Sequence, residues 1–423
     1  MKRTFTLLFL TLTALGISAQ KMKTLDGSYM GLFASTDGKY VCGDSQMGVA
    51  FIWNVENNTV TTDAEYENES SATGISNDGT AVGYWGDYAA KYTPEGKFIK
   101  LDGEDSEEMS IASRITPDGS VIVGCNMTAS YVQHACVWEN GKKTMLPEPT
   151  AEEVGFPVFG TNAIDVSNDG SIIVGTILDR YNYLPLIYWT KEADGTYKLH
   201  TPCADLFEPD YGDKPYFYIS PVNISGNGKW ISLLLQRNGD ALPVEMGRMN
   251  VETGQIDIAG ISADGNIEVE KSLISASVAN DGTMIGMTEP LRGETMIGRI
   301  ALIWEIGEKN VRTLSEAYPT LTRLSDYEAF ASTVSHITPD GRFIVGFGIT
   351  DEGTYETFII DRNATSSDFI DSATTDKAGT TTAIYGIDGK LVHTANSNNL
   401  KKGVYIIKSG NGKDMKTKKV VVK

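Results

Sequence analysis

A short phrase recurs seven times along the 423-residue chain: a small polar residue, Asp-Gly or a near equivalent, then an apolar run that ends in Gly. The copies fall at Asp37-Gly38, Asp78-Gly79, Asp118-Gly119, Asp169-Gly170, Asn227-Gly228, Asp281-Gly282 and Asp340-Gly341. Successive copies lie 41, 40, 51, 58, 54 and 59 residues apart, by subtraction of these positions. A period in this range is typical of a solenoid, a propeller or another array of stacked units.

One copy contains the pattern of four short strands. In the second copy these are Ala72–Ser76, Thr80–Tyr84, Ala89–Tyr92 and Lys97–Leu101, the last alternating polar and apolar residues. Asp78-Gly79 supplies the positive-φ positions of a tight hairpin turn. Four antiparallel strands joined by short turns make one propeller blade. The sequence therefore predicts an all-β chain whose residues 20–363 form a seven-bladed β-propeller.

The first residues of this region predict how the ring closes. The seventh copy runs through Phe358–Ile360 but shows no clear fourth strand, whereas Lys21–Gly27 is similar to the fourth-strand segment Lys97–Gly103. We expect the leading strand to complete the last blade, which removes exposed sheet edges. Ala263-Asp264-Gly265 is interpreted as a loop, because no Val-Gly strand follows it.

Both ends of the chain differ from the repeats. Residues 1–19 combine a basic start with a short apolar stretch and a small residue ahead of Gln20, which predicts a secretory signal peptide. No later stretch has the length of a transmembrane helix. Residues 364–382 are rich in Ser, Thr and Asp and predict a linker. We expect a protein that is secreted or held at the outer cell surface after signal peptide cleavage.

The last residues, 383–423, contain three strand phrases: Ala383–Val392, Leu400–Lys408 and Lys418–Lys423. The Gly-Val-Tyr-Ile-Ile-Lys phrase and the Lys-rich final strand resemble the type A C-terminal sorting domain of proteins exported by the type IX secretion system of Bacteroidota. The resemblance implies contact with the export machinery and removal of this small β-domain. The family's usual Tyr-Pro-Asn-Pro-like opening has no counterpart between Asp361 and Thr382. The alternative is a small β-module that caps the propeller.

The repeats carry two phrases, Asp-Gly-x-x-Val-Val-Gly and Ala-x-Ile-Trp. These phrases resemble the secreted repeat proteins grouped under the HAF-type repeat, and the resemblance implies a fold without implying an activity. Tryptophan recurs at the same position of the third strand in four copies: Trp53, Trp138, Trp189 and Trp304. We predict that these side chains pack between neighbouring blades.

Charge and cysteine content exclude several classes of function. The formal net charge of −19 argues against binding to nucleic acid or to acidic membrane surfaces. The four cysteines, Cys42, Cys125, Cys136 and Cys203, fit no zinc spacing. Cys125 and Cys136 fall in neighbouring strands of one blade, a placement that allows a disulfide in an exported protein. No cofactor and no metal site is predicted.

The loops predict which face binds. The first-to-second and third-to-fourth turns of each blade emerge on one face and are short, whereas the long, variable loops emerge on the other face, where binding usually occurs. Aromatic rings beside carboxylates can stack on sugar faces and accept hydroxyl hydrogen bonds. The candidate ligand-binding residues on two such loops are Tyr181, Tyr183, Asp210, Tyr211, Asp213, Tyr216 and Tyr218. Local packing is the alternative for them, and for the acidic loops Thr61–Ser71 and Asp102–Met109 we expect a solvated surface.

No catalytic residue is predicted. The four histidines, His134, His200, His336 and His393, share no motif with a nucleophile, and no calcium-loop run is present. We expect a secreted or cell-surface binding propeller without chemistry that recognises a glycan or an envelope protein. One alternative is a carbohydrate-active hydrolase or lyase, since loop carboxylates of different blades can converge in space. Another is a structural or adhesion component of the cell envelope.

Overall fold

The structure is a computed structural model. It describes residues 21–45, 47–62, 69–179, 184–202, 204–207, 214–238, 243–261, 272–288 and 298–363, and four strands between 381 and 422. Residues Gln20–Arg362 form one compact unit, and the C-terminal residues from Asn363 belong to another. The signal peptide prediction and residues 364–380 of the predicted linker lie outside the described residues, and the last two residues of that linker, Thr381 and Thr382, begin a strand.

The larger unit is a ring of seven four-stranded antiparallel sheets. The N-terminal strand is β1 (Lys21–Asp26). Blade 1 contains β2 (Tyr29–Ala34), β3 (Tyr40–Ser45), β4 (Ala50–Asn54) and β5 (Thr59–Thr62); blade 2 contains β6 (Ser70–Ile75), β7 (Ala81–Trp85), β8 (Tyr88–Tyr92) and β9 (Phe98–Lys100). Blade 3 contains β10 (Ser110–Ile115), β11 (Val121–Met127), β12 (Gln133–Glu139) and β13 (Lys142–Met145); blade 4 contains β14 (Gly160–Val166), β15 (Ile172–Leu178), β16 (Leu186–Lys191) and β17 (Tyr197–His200).

The remaining blades follow the same plan. Blade 5 contains β18 (Tyr216–Ile224), β19 (Trp230–Arg237), β20 (Glu245–Asn250) and β21 (Ile256–Ile258); blade 6 contains β22 (Leu273–Val278), β23 (Met284–Thr288), β24 (Ala301–Trp304) and β25 (Arg312–Thr313). Blade 7 contains β26 (Ser332–Ile337), β27 (Phe343–Ile349) and β28 (Tyr355–Asp361), and its outer strand is β1. The prediction of an all-β, seven-bladed propeller is confirmed.

The ring is closed by pairing between its two ends. Strand β1 runs antiparallel to β28, in register from Lys21 opposite Asp361 to Asp26 opposite Glu356. Because this strand hydrogen-bonds to the last blade, the first and last strands of the propeller are held in one sheet and the ring is closed.

The Asp-Gly phrases form the turns between the first and second strands of the blades. In blade 2 the Ser76 hydroxyl donates to Asp78 Oδ1 at 2.6 Å, and the Thr80 amide donates to the same oxygen at 3.0 Å. Gly79 adopts φ +87°, a left-handed conformation that glycine enters without a steric penalty. These hydrogen bonds explain why a hydroxyl residue stands two positions before each of the six Asp or Asn residues that share this geometry.

The core lies between the blades. Trp189 of blade 4 is fully buried in a cluster that also contains Val137 of blade 3 and Leu233 of blade 5. All four recurring tryptophans are buried, and every indole N–H donates to an oxygen; the acceptors are Asn58, Asp102, Pro147 and Glu308. The packing predicted for these tryptophans is thus what the structure shows.

Three short helices lie in the connections between blades: α1 (Ala151–Val154), α2 (Leu314–Ala317) and α3 (Arg323–Glu328). In the part of the chain that the structure describes, no helix is long and apolar enough to span a membrane.

The smaller unit contains a four-stranded sheet of β29 (Thr381–Gly386), β30 (Leu391–Thr394), β31 (Gly403–Asn411) and β32 (Asp414–Val422). Their order in the sheet is β30-β29-β31-β32. The strands coincide with the three C-terminal phrases of the sequence. Their role in sorting stays a prediction.

The two cysteines of blade 3 are free, buried thiols. Cys125 lies opposite Ala135 and Cys136 opposite Gly124, so the two side chains point to opposite faces of the sheet. The disulfide that their spacing allowed is therefore absent. Cys42 is also a free, buried thiol, and Cys203 lies outside the described residues.

Candidate binding face

The two faces of the ring differ in their loops. We call the face that carries the Asp-Gly turns the turn face, and the opposite one the loop face. The loop face carries the second-to-third loops of each blade and the connections between blades, including α1, α2 and α3. Of the ligand-binding residues predicted from the sequence, the two that the structure describes, Tyr216 and Tyr218, lie at the loop-face end of an inner strand.

The structure places only two of those predicted residues. Tyr216 and Tyr218 begin the inner strand of blade 5. Tyr216 is half-buried and packs on the core cluster of blades 3 to 5, and its amide donates to the Leu206 carbonyl at 3.1 Å. Its contacts match the alternative of local packing. Five predicted residues lie outside the described residues: Tyr181, Tyr183, Asp210, Tyr211 and Asp213.

Large apolar side chains are exposed mainly on the loop face. Seven such residues are exposed in the described part of the chain. Four lie in loop-face segments: Met47 (80% exposed), Tyr131 (70%), Phe159 (54%) and Phe330 (37%). Ile99 and Met145 lie on outer strands, and Ile306 lies in a turn on the turn face. Single exposed apolar residues are common on protein surfaces, and four of the seven among the described residues lie on one face.

Two of these residues, Tyr131 and Phe159, lie on adjoining segments of blades 3 and 4. Tyr131 precedes β12 by two residues, and Phe159 directly precedes β14. A Cβ atom on Gly160 would collide with the carbonyl oxygen of Gln133, so the absence of a side chain there lets the two segments meet. The Phe159 amide donates to the Leu178 carbonyl at 2.9 Å, which places Phe159 at the base of the loop that carries Tyr181 and Tyr183.

A polar pair flanks these two rings. His134 Nδ1 lies 2.8 Å from Glu148 Oε1, and each side chain is about one-third exposed. The Thr161 hydroxyl donates to the same Glu148 oxygen at 2.8 Å and accepts from the Ala135 amide at 3.0 Å. A carboxylate oxygen only accepts, so Glu148 Oε1 accepts from both the Thr161 hydroxyl and His134 Nδ1–H. Both side chains of the pair remain partly accessible to solvent.

The acidic loop Asp102–Met109, between blades 2 and 3, was expected to be a solvated surface, but two of its carboxylates contact blade 3. Asp102 is buried and accepts hydrogen bonds from the Trp138 indole at 2.8 Å and the Ser110 hydroxyl at 2.8 Å. Lys143 Nζ lies 3.1 Å from Asp102 Oδ1 and 2.5 Å from Glu108 Oε2. Asp102 thus supports blade packing, while Glu104, Asp105 and Glu107 meet the expectation of exposed or half-exposed carboxylates.

A ring of side chains crosses the central channel near the turn face. Each inner strand contains a β-bulge at the same place, and the residues that follow the bulges are Phe33, Gly74, Arg114, Asp165, Asn223, Ser277 and His336. A bulge redirects side chains. One residue from every blade is thereby aligned around the same level of the channel, a pattern that the sequence repeats do not reveal because these seven residues differ.

Neighbouring members of this channel ring contact one another. The Arg114 guanidinium stacks 3.5 Å from the centre of the Phe33 ring, in the space beside Gly74, and its Nε lies 3.6 Å from Asp165 Oδ1. Phe33 packs on His336 with ring centroids 5.2 Å apart. Asn223 donates to the Ser277 hydroxyl at 3.2 Å. The space that remains between these side chains measures about 60 Å³, so they occupy most of this level of the channel.

Burial changes the proton affinity of these groups. Burial, aided by the positive charge of Arg114, lowers the pKa of His336 to about 3, so this imidazole is neutral at physiological pH. Burial raises the pKa of Asp165, although Arg114 and the backbone amides of Ile224 and Val166 oppose the shift. Two amide donors at 2.9 Å already occupy the Asp165 oxygens. The channel groups are therefore engaged in holding the blades together.

Metal ligands do not gather anywhere among the residues that the structure describes: no three His, Cys, Asp or Glu side chains come together in a suitable cluster. His134, His200 and His336 lie in three different blades, 3, 4 and 7.

Comparison with known proteins gives the fold alone. No family model and no curated protein matches the chain. The chain is similar to the crystal structure of an oligogalacturonate lyase from Vibrio parahaemolyticus, with 12% identity, a TM-score of 0.52 and coverage of 81% of this chain and 97% of that one. The propeller domain of Cps50 (Swd1) from Myceliophteria thermophila has 10% identity, a TM-score of 0.49 and coverage of 80% and 99%. A putative TolB from Agrobacterium tumefaciens has 11% identity, a TM-score of 0.41 and coverage of 79% and 89%.

Proposed function

We propose that this protein is a non-catalytic binding propeller that recognises a glycan or an envelope protein through its loop face. The observation that carries the proposal concerns the exposed large apolar side chains of the described residues: Met47, Tyr131, Phe159 and Phe330 lie on the loop face, and Ile306 lies on the turn face. A rigid ring that presents variable loops is a common scaffold for binding.

The test compares two matched sets of substitutions. One variant of the full chain replaces Met47, Tyr131, Phe159 and Phe330 by Ser, and the control replaces Ile99, Met145 and Ile306 by Ser. Wild type and both variants are applied to an array of host and plant glycans and to an immobilised cell-envelope extract. We expect the loop-face variant to lose retention and the control to keep it. Equal retention by the two variants would refute the proposal.

The array also tests an enzymatic alternative, since one similar solved structure is an oligogalacturonate lyase. Release of a shorter or unsaturated sugar product by the wild type would replace the binding proposal by a carbohydrate-active one. Retention without release supports binding alone. Retention by envelope proteins without any sugar would favour the structural or adhesion role.

We propose further that the chain is exported to the cell surface or secreted, on the basis of its apolar leader and the sorting-domain resemblance of residues 383–423. Cell fractionation with antibodies against the propeller and against the C-terminal residues tests this. Export predicts surface propeller that has lost the C-terminal epitope. Propeller found only inside the cell would contradict it.

A further inference from the structure

One loop of blade 3 has the same backbone as loops in two other blades but a different residue at its critical position. In blade 3 the Thr128 amide donates to the Val132 carbonyl at 2.9 Å, and the Tyr131 amide donates to the Thr128 carbonyl at 2.8 Å. The same two hydrogen bonds, at 2.8 to 2.9 Å, close the five-residue loops Ser45–Val49 in blade 1 and Thr350–Thr354 in blade 7.

The fourth residue of all three loops is left-handed. Its φ is +71° at Gly48 and +77° at Gly353, and it is +60° at Tyr131. A Cβ atom in this conformation approaches the following carbonyl oxygen, so every residue with a side chain is disfavoured there relative to glycine. The tyrosine at this position therefore opposes the stability of the loop.

Packing does not compensate for that strain. The Tyr131 side chain is 70% exposed, so its ring has little apolar area buried against the propeller. A strained, exposed aromatic residue is a signature of a functional position, because local strain is retained where the side chain is needed for something other than folding.

The surroundings of Tyr131 favour a particular kind of ligand. Phe159 offers a second exposed ring on the adjoining segment, and the Glu148–His134 pair, which contacts Thr161 two residues further on, offers partly exposed hydrogen-bonding groups. Rings bind the apolar face of a flat, amphipathic group, and acceptors bind the hydroxyl hydrogens at its edge. The formal charge of −19 and the nearby Glu148 disfavour an anionic ligand.

We propose that Tyr131 and Phe159 form the stacking platform of a subsite for an uncharged saccharide, in which Glu148 and His134 accept hydrogen bonds from its hydroxyl groups. This inference rests on the proposed function of the loop face and narrows its ligand to one chemical class.

The decisive variant is Tyr131→Gly, because two loops of the same protein show that glycine suits this backbone. The full-length wild type is titrated by calorimetry with neutral hexasaccharides of glucose, mannose and xylose, and with oligogalacturonate as the anionic contrast. We expect one neutral hexasaccharide to bind, and we expect Tyr131→Gly to lower the affinity for this sugar at least about tenfold. Its melting temperature should equal or exceed that of the wild type, since the strain is removed.

Two further variants separate the roles within the subsite. Phe159→Ala should lower the affinity for the same sugar to a similar degree. Glu148→Gln should lower that affinity by a few fold, while the new side chain keeps the contacts of Glu148 with His134 and Thr161. The matched control is Ile306→Ala, which removes an exposed apolar side chain from the turn face and should bind like the wild type.

The outcomes distinguish this inference from the proposed function. Unchanged sugar affinity in Tyr131→Gly, or tighter binding of oligogalacturonate than of every neutral sugar, overturns the saccharide subsite. If no sugar binds but an envelope protein does, and the four-residue loop-face variant abolishes that interaction, the subsite is wrong and the proposed function stands. If binding is lost only in Ile306→Ala, both are wrong.

Discussion

Removal of Arg114 from the channel ring should destabilise the propeller by an amount that depends on pH. Arg114→Met keeps much of the side-chain volume against Phe33 but removes the cation beside Asp165. Asp165 is only 7% exposed, so its carboxylate would be left buried without a positive partner. Removing one partner of a buried ion pair costs about 3–5 kcal/mol in other proteins. The Arg114 Nε to Asp165 Oδ1 distance of 3.6 Å is longer than a hydrogen bond, and two amides already bind the carboxylate. We therefore expect a loss near the lower end, about 3 kcal/mol at pH 7.5.

The pH dependence follows from the direction of the Asp165 shift. The pKa of Asp165 in the folded protein is raised above its unfolded value, so ionisation of this carboxyl opposes folding. The stabilising contribution of the protonated Asp165 carboxyl is fully present below its pKa in the unfolded chain. This contribution is lost as pH rises through its pKa in the folded protein. Arg114 lowers the folded pKa, so Arg114→Met raises it further and enlarges the loss at neutral pH. The deficit should shrink as pH falls towards 4.

Urea unfolding at pH 7.5 and pH 4.5, followed by tryptophan fluorescence, measures both effects. Arg312→Met is the control, because Arg312 is a surface residue paired with Glu305 and Glu308 and should cost about 0–1 kcal/mol. The double variant Arg114→Met/Asp165→Asn should lose less than the sum of the two single variants. A loss below about 1 kcal/mol in Arg114→Met, or a loss that is equal at both pH values, would refute the role given to this pair.

Three other predictions concern closure, thiols and packing between strands. Asp26 lies opposite Glu356 in the closing sheet, and burial together with Glu356 raises the pKa of Asp26. Asp26→Asn should therefore raise the melting temperature at pH 7.5 and leave it unchanged below pH 4. An equal change in melting temperature at the two pH values would contradict this. Cys125 and Cys136 should both react with iodoacetamide in denaturant without reductant, and a disulfide-linked peptide pair in the mass spectrum would show the contrary. Gly31→Ala should lose about 1–3 kcal/mol in urea unfolding, because its Cβ would lie 2.5 Å from Thr357 Cγ2; wild-type stability would contradict the packing of blade 1 on blade 7.

The sequence predicts the fold well because each blade repeats its own local signals. The Asp-Gly turn, the apolar strands and the tryptophan of a blade lie within about twenty residues of one another. Their structure therefore depends on neighbouring residues and can be predicted from one sequence. The pairing of β1 with β28 spans more than three hundred residues, and it is predictable only because Lys21–Gly27 is similar to a fourth strand.

The candidate site was less accessible to sequence reasoning. Aromatic and acidic density drew attention to the loops with Tyr181 and Tyr211, whereas Tyr131 stands in a short loop of ordinary composition. One available signal was missed: Thr128–Val132 aligns with Ser45–Val49, and a tyrosine replaces the glycine. The channel ring could not be predicted at all, because Arg114, Asp165 and His336 share no residue type and meet only when the ring closes.

Binding of ligands to the loop face can be measured by differential hydrogen exchange. The full chain is compared with and without the glycan or envelope protein that it retains, and amide protection is read by mass spectrometry. Binding at the loop face should protect peptides covering Thr128–Val132 and 146–160 and leave the Asp-Gly turns of the turn face unchanged. Protection confined to those turns, such as Ser35–Tyr40 and Ser76–Thr80, would contradict it.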